Sequence, residues 1–350
     1  MDDLVDLGLA GELANARAGA DYRKGRPSRR FALRADAAAV VGVDAGQFHV
    51  VTTVADLRGR TLATRTDLAG VDGDSAERRR RLVVDAMDAT LAEAGVSRAE
   101  VLSVCVGIPA PVDAAGRSPL HRRGFWARMN PDLVHLLSSW VPIVRMENDA
   151  LLASVAQHAR GAAVGLRNSV TLLAGQSLGA GVVIDGNVLR GAHGGVGELV
   201  VIRHLRGVEA AHGIGHQLEA WAREVMASET LPADHPLRAF PEDALTARDV
   251  IELAKTGEPT SRGLVERAGA ALARIAGVLG SLYDPERIIV SGDLAPGVEE
   301  LLGVARRLLP DEPDLPVPER VASSIGADVV SIGAVAAALE SARDGALHIT

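Results

Sequence analysis

From Ala38 onward, short β-branched runs alternate with stretches whose apolar residues recur at helical spacing, and glycine or proline closes most runs. AVVGVDAG predicts a buried strand ending in a glycine turn, and FHVVTTVAD a second strand paired with it as a hairpin. Leu57-Arg58-Gly59-Arg60 is a further turn, and TLATRTDL a third strand. Leu82, Val83, Ala86, Met87 and Leu91 predict a helix over 75–95. VLSVCVGIPAP then reads as a buried strand stopped by glycine and proline. NPDLVHLLSSW predicts a short helix with Asn130 as N-cap and Pro131 at its first position. PIVRM is a strand, and MENDALLASVAQHARG runs from its end into a helix.

The second half repeats this plan. SVTLLAGQSLGAGVVIDG is a strand, a glycine-rich turn and a second strand closed by Asp185-Gly186, a hairpin signal. Helical patterns follow at about 214–227, 246–256 and 260–282. RIIVSGDL is a strand with a glycine turn at Gly292, and SIGAVAAALESAR is a last helix. Ala45-Gly46-Gln47 in the first half and Ala174-Gly175-Gln176 in the second occupy the same place in each plan. A strand–turn–strand opening two successive halves predicts a duplicated α/β fold with a cleft between two lobes.

Residues 1–37 differ from the rest and are too few for a core of their own. Leu4, Leu7, Leu9 and Leu13 suggest a short helix, followed by the polar RAGADYRKGRPSRR and an extended FAL. Between Arg17 and Arg34 the segment is +6, so the remainder of a chain whose net charge is −8 must be −14. That balance argues against a surface basic all over. Lysine occurs only at Lys24 and Lys255, so arginine alone is no sign of phosphate recognition here.

The remaining composition narrows the class. Length, 350 residues, fits about two domains at ~100–200 residues each. Apolar residues are 47% and charged residues 23%, close to the globular average. No apolar run reaches the ~18–20 residues of a bilayer crossing, and the N-terminus carries acids where a secretory signal carries bases. A soluble, cytoplasmic protein is expected. The single cysteine, Cys105, excludes an internal disulfide and a multi-cysteine zinc cage.

Four constellations can carry chemistry. Glu147-Asn148-Asp149 ends a strand and opens a helix, where α/β sheets bind ligands; an aspartate there can take a proton from a hydroxyl, and an asparagine can donate and accept. The same residues are also ordinary helix caps. Gly194-Gly195-Val196-Gly197-Glu198 places one acid after glycines that permit close backbone approach; a flexible loop with a solvated acid reads equally well. Glu219, on a helix in LEAWA, is by spacing a surface acid. His212 and His216, with His204 nearby, have metal-ligand spacing, although ordinary surface histidines fit the glycines between them better. Arg78 to Arg81 reads as a solvated helix face, with a phosphate patch as the alternative.

Together these segments resemble the ROK family of repressors, open reading frames and sugar kinases, over about residues 38–343. GVDAG, GIPAPVD at 107–113, MENDALLA at 146–153, GQSLGAGVVIDGNVLRGAHGGVGEL at 175–199, LEAWA at 218–222, DPERIIVSGDLA at 284–295 and SIGAVAAALE at 331–340 carry the likeness. The resemblance implies a two-lobed actin-like or hexokinase-like fold, a duplicated ribonuclease H-like α/β architecture. Its expected parts are a winged-helix remnant at 1–37, one lobe at 38–145 joined by helix 331–343, and a second lobe at 146–330. It implies Asp149 as the catalytic base if the chain is a kinase, and Asn148, Asp149, Glu198 and Glu219 as contacts to sugar hydroxyls.

The departures from the family pattern set the functional expectation. The first phosphate loop of family kinases reads DxGGT; here it is Asp44-Ala45-Gly46-Gln47-Phe48. The second, GTGxGxG, is replaced by Gly175-Gln176-Ser177-Leu178-Gly179-Ala180-Gly181. Asp44, Gly46, Gly175, Ser177, Gly179 and Gly292 thus form a degenerate nucleotide site, and phosphoryl transfer tolerates little loss of positioning. Val201 stands where GExGH has its histidine, and Ala210 through Gln217 lack the cysteines of the zinc element, so no structural zinc is expected. ATP and Mg²⁺ are expected only for a kinase. The N-terminal segment resembles the end of a winged helix-turn-helix, with Arg23, Lys24, Arg26, Arg29 and Arg30 placed to meet DNA phosphates. Either translation starts upstream, or the reading head has been lost. A sugar-responsive, homodimeric regulator or its sugar-binding descendant, with a monosaccharide or sugar phosphate between the lobes, is the expectation; an ATP-dependent hexose or amino-sugar kinase is the alternative.

Overall fold

The computed structural model describes residues 2–13, 29–69, 75–120, 124–176, 178–208, 210, 212–292, 294, 297–308 and 317–348. The chain opens with α1 (Asp2–Asp6), followed by β1 (Ala10–Leu13), which pairs antiparallel with β2 (Arg30–Leu33). The helix suggested by the leucine spacing therefore stops early. Gly8 takes φ +73°, which ends α1, and Leu9 turns inward beside the strand rather than continuing a helical face.

The first sheet contains β3 (Ala39–Asp44), β4 (His49–Asp56), β5 (Thr61–Leu68), β6 (Val101–Ile108) and β7 (Ile143–Asn148), in the order β5-β4-β3-β6-β7. Helix α2 (Ala76–Ala94) crosses between β5 and β6, capped by Ser75 at its start and by Gly95 in the left-handed conformation at its end. Two short helices, α3 (Phe125–Met129) and α4 (Leu133–Leu137), lead into β7. The expected start of α4 at Asn130-Pro131 is corrected. Asp132, at φ 56°, is the flanking residue, and the Asn130 amide is committed to the Gly116 carbonyl and the Ser118 hydroxyl.

Helix α5 (Asp149–Arg160) begins directly after β7, and the second sheet repeats the first. It contains β8 (Ser169–Leu173), β9 (Gly179–Ile184), β10 (Asn187–Val188), β11 (Arg287–Ser291) and β12 (Glu319–Ala322), ordered β10-β9-β8-β11-β12. In each sheet the first strand pairs antiparallel with the second and parallel with the fourth. Asp185 and Gly186 take φ 52° and 78°, the two positive values that the hairpin turn needs. Helices α6 (Ile214–Ala227), α7 (Ala247–Lys255), α8 (Pro259–Tyr283) and α9 (Val298–Leu308) cover this sheet, and α10 (Val329–Gly345) returns to the first.

Three cores result. One lies between the first sheet and α2 with α4, and one between the second sheet and α6 to α9. The third joins the two halves: Leu152, Ala153 and Ala156 of α5 pack with Ala334, Ala337 and Ala338 of α10, and Val40, Cys105 and Leu173 complete it. Leu9 is buried in this shared cluster, and Leu4 packs on it. Its alanine-rich composition lets α5 and α10 approach until the Leu152 carbonyl lies where a Cβ on Gly333 would be. Gly333→Ala is therefore expected to cost roughly 1–3 kcal/mol by overpacking, read as a lower urea midpoint with an unchanged slope; an unshifted midpoint would contradict this packing. Among the described residues, no helix is long and apolar enough to cross a membrane.

Candidate functional site

The two glycine turns leave the first strand of each sheet, after Asp44 in β3 and after Leu173 in β8. The β7–α5 junction lies at the end of the same sheet, with β6 between it and the first of them. Asn148 caps α5: its Oδ1 accepts from the Leu151 N–H at 3.1 Å. Its Nδ2 is directed elsewhere, to the Ala110 carbonyl at 3.2 Å and Glu198 Oε1 at 3.4 Å. The cap and ligand readings of this residue are thus compatible, because one end of the amide serves the helix and the other faces the cleft.

Glu198 is delivered by a tightly fitted loop rather than a loose one. Ala180 N–H donates to the Gly197 carbonyl at 3.0 Å, and Glu198 bridges Gly179. Gly197 has φ +85° and lies against the Ala180 carbonyl, so a side chain is excluded there. Burial lifts the Glu198 carboxyl to about 7. Asp149 is buried at the first turn of α5, with Oδ1 accepting from the Ala150 N–H at 2.7 Å. Burial first, then the charges of Asp44 and Glu198, raise its carboxyl to about 8. Asp44, Asn148, Asp149 and Glu198 therefore form one polar group.

Glu219 belongs to a second group. Its Oε1 accepts the Ala247 N–H at 3.1 Å, capping α7, while Oε2 lies 3.5 Å from both Gln176 Nε2 and Arg223 Nη2. His216 Nδ1 lies 3.4 Å from Gln176 Oε1, and the His212 and His216 rings are 5.1 Å apart. Around these side chains the second glycine turn is tied to α6. Gly213, Gly215 and His216 N–H groups donate to the carbonyls of Gln176, Ala174 and Gly175. The helix N-terminus thus spends these donors on protein carbonyls, whereas an anion site would leave them free. Gly292, at φ +105°, backs this turn against Leu173 and Gly175. Ser177 lies outside the described residues.

The first turn is also filled. His49 Nε2 lies 3.1 Å from Asp44 Oδ2, and its ring stands 2.8 Å from where a Gly46 Cβ would be. From beneath, Arg79 donates to the Ala45 carbonyl. Arg79 is only 3% exposed; burial lowers its guanidinium to about 10 while Asp44 opposes the shift. The Arg78–Arg81 face is therefore not solvated throughout. Arg80 donates to the Pro131 carbonyl and Arg81 pairs with Glu77, but Arg79 turns inward. Its spacing was a usable signal: residues 79, 83, 86, 87 and 90 lie on one helical stripe and are all buried. Nothing in the local sequence marks His49.

Glu147, the first residue of the triplet, points away from Asn148 along the strand and is buried. Its Oε2 accepts from Arg145 at 3.0 Å and from Arg190 at 2.9 Å, and Arg145 also reaches Glu340 of α10 at 2.8 Å. Because Arg190 follows β10, this network ties the second sheet to the first beside the cleft.

The described residues do not offer a donor set for a zinc ion. Val201 is 72% exposed, and among the described residues no group of three or more His, Cys, Asp or Glu could hold a metal. Gln217 does the stapling instead: its Nε2 donates to the carbonyls of His212 at 2.8 Å and Ala210 at 3.4 Å. In the two turns, the described groups nearest a phosphate position are engaged by the protein itself: Asp44 with His49, and the Gln176, Ala174 and Gly175 carbonyls with α6. Of the residues expected to meet DNA phosphates, Arg29 pairs with Glu12, while Arg30 is exposed on β2; Arg23, Lys24 and Arg26 lie outside the described residues.

The ROK family model matches residues 40–340. A glucokinase of Streptomyces coelicolor is 26% identical over 86% of this chain and 97% of its own. The xylose repressor of Lactiplantibacillus pentosus is 24% identical over 47% of this chain and 40% of the repressor. A solved ROK transcriptional regulator, described as a homologue of the Escherichia coli MLC protein, is 21% identical with a TM-score of 0.72, covering 99% of this chain and 88% of that one.

Proposed function

Because the chain belongs to the ROK family, we propose that it is a sugar-responsive transcriptional regulator, or a sugar-binding descendant of one, rather than a kinase. The observation that carries this reading is the contrast within the cleft. Asn148, Asp149 and Glu198 remain as a polar group suited to hydroxyls, while both phosphate turns are filled by the protein's own groups. A monosaccharide or sugar phosphate binds through Asn148, Asp149 and Glu198, with Glu219 reached through rearrangement of Gln176. No ATP, Mg²⁺ or structural zinc is required.

The fold supplies a route from that site to the N-terminal segment. Asp149 begins α5, α5 packs along α10, and Leu9 is seated in the same cluster. A ligand that favours one lobe angle therefore shifts the placement of β1 and β2, the winged-helix remnant. In a cytoplasmic homodimer, that shift alters the spacing of two basic wings on DNA half-sites. The kinase alternative draws on the glucokinase likeness over 86% of the chain, and would use Asp149 as base.

A coupled assay with ATP, Mg²⁺ and a panel of hexoses separates the two. No turnover is expected; turnover that Asp149→Asn abolishes would establish the kinase. For DNA, five wing cations at ~0.9 per phosphate contact predict a log–log salt slope of about −4.5 per protomer. Binding that is absent at low salt would leave only the sugar-binding descendant.

A further inference from the structure

A cavity of about 250 Å³ lies away from the cleft, where β4 and β5 meet the end of α5 and the start of α10. Four hydroxyls line it, from Thr53, Thr61, Thr64 and Ser331, with Arg160 and Asp328 as its charged members. Ile332, Val335 and Leu339 of α10 provide an aliphatic floor. Thr53 and Thr64 are 3.2 Å apart and hydrogen-bonded, so each keeps capacity for one further partner. Arg160 and Asp328 are both exposed and close no ion pair between them.

The chemistry of this lining is selective. One carboxylate among neutral hydroxyls is a poor cation site, since hard cations require several charged oxygens. An anion would meet Asp328 as well as Arg160. A purely apolar molecule would use neither the Thr61 hydroxyl nor the two charged heads, and would meet the remaining capacity of Thr53, Thr64 and Ser331, whose bonds are to each other and to the Asp328 carbonyl. An uncharged polyol satisfies all of them: its hydroxyls accept from Arg160, donate to Asp328 and bond the threonines, and its C–H face covers the floor. The volume falls below the ~300–1,000 Å³ of drug-sized pockets, which limits the occupant to one small molecule.

We propose that this cavity is a second small-molecule site, taking a monosaccharide or hexitol. It does not rest on the cleft reading. It is joined to the cleft by α5, which carries Asp149 at one end and Arg160 at the other, about 16.5 Å apart at 1.5 Å per residue. Occupancy at either end biases the same helix, so the two sites are reciprocally coupled.

The test is equilibrium dialysis of the full chain against labelled hexoses, their N-acetylamino derivatives and hexitols. One probe is expected to bind a site that survives Asp149→Ala. That binding weakens at least tenfold in the Arg160→Ala, Asp328→Ala pair, both surface positions, and is blocked by Ala336→Phe, which fills the cavity. If no probe survives Asp149→Ala, or the surviving site ignores the rim pair, the proposal is overturned. Binding that depends on Asp149 alone overturns this site and leaves the cleft standing; binding that depends on Arg160 alone does the reverse.

Discussion

Asp149→Ala is expected to weaken monosaccharide binding roughly a hundredfold at pH 7, while Asp149→Asn stays within a few-fold of the wild type. The first figure follows from leaving the buried partners of a neutral carboxyl unsatisfied, about 1–3 kcal/mol and here at the upper end, at 1.4 kcal/mol per factor of ten. The second follows from the carboxyl's surroundings. Burial, with Asp44 and Glu198 nearby, lifts it to about 8, so at pH 7 it holds its proton and an amide reproduces its shape and bonding. Equal losses for Ala and Asn, by isothermal titration calorimetry, would contradict that protonation state.

The same shift governs stability. The native carboxyl binds its proton more tightly than the unfolded chain, whose value is 3.8. Its contribution is therefore complete below pH ~4 and lost as pH rises through about 8. Asp149→Asn should flatten that decline and raise the unfolding midpoint above pH 8. In a kinase, an ionised base is required, so turnover would instead climb through the same range.

Glu147→Ala is expected to destabilise the protein by about 3–5 kcal/mol, the usual cost of leaving buried charges without their partner. Burial works against the Arg145 charge, and Glu340 and Glu147 outweigh it, holding the guanidinium above its ordinary value. Removing Glu147 leaves Arg145 with Glu340 alone and releases Arg190 from the first sheet. Arg190→Ala should cost under ~1 kcal/mol, because Arg190 is 42% exposed and Arg145 still satisfies the carboxylate. Urea denaturation of both variants checks the order, and a Glu147→Ala loss no larger than that of Arg190→Ala would contradict it.

Local signals in the sequence make much of this fold legible. The two Ala-Gly-Gln turns do follow corresponding strands, and the Asp185-Gly186 turn and the long helices stand where periodicity put them. Asn148 and Glu198 were readable because a helix start and a glycine loop constrain the backbone within a few residues. What escaped depends on distant partners. Glu219 caps a helix that begins 28 residues later, and His49 covers Gly46 only once β4 folds back on β3. β12 is four residues, ERVA, with two charges, and its strand identity comes from β11 beside it.

The seat of Leu9 has an evolutionary corollary. Among the described residues, the N-terminal segment meets the body through aliphatic contacts of Leu9, Leu4 and Ala37 and a bond from the Leu57 N–H to the Ala35 carbonyl. On the regulator reading proposed above, a different module spliced ahead of β3 would need a comparable apolar residue at that point to be coupled to the same α5–α10 cluster.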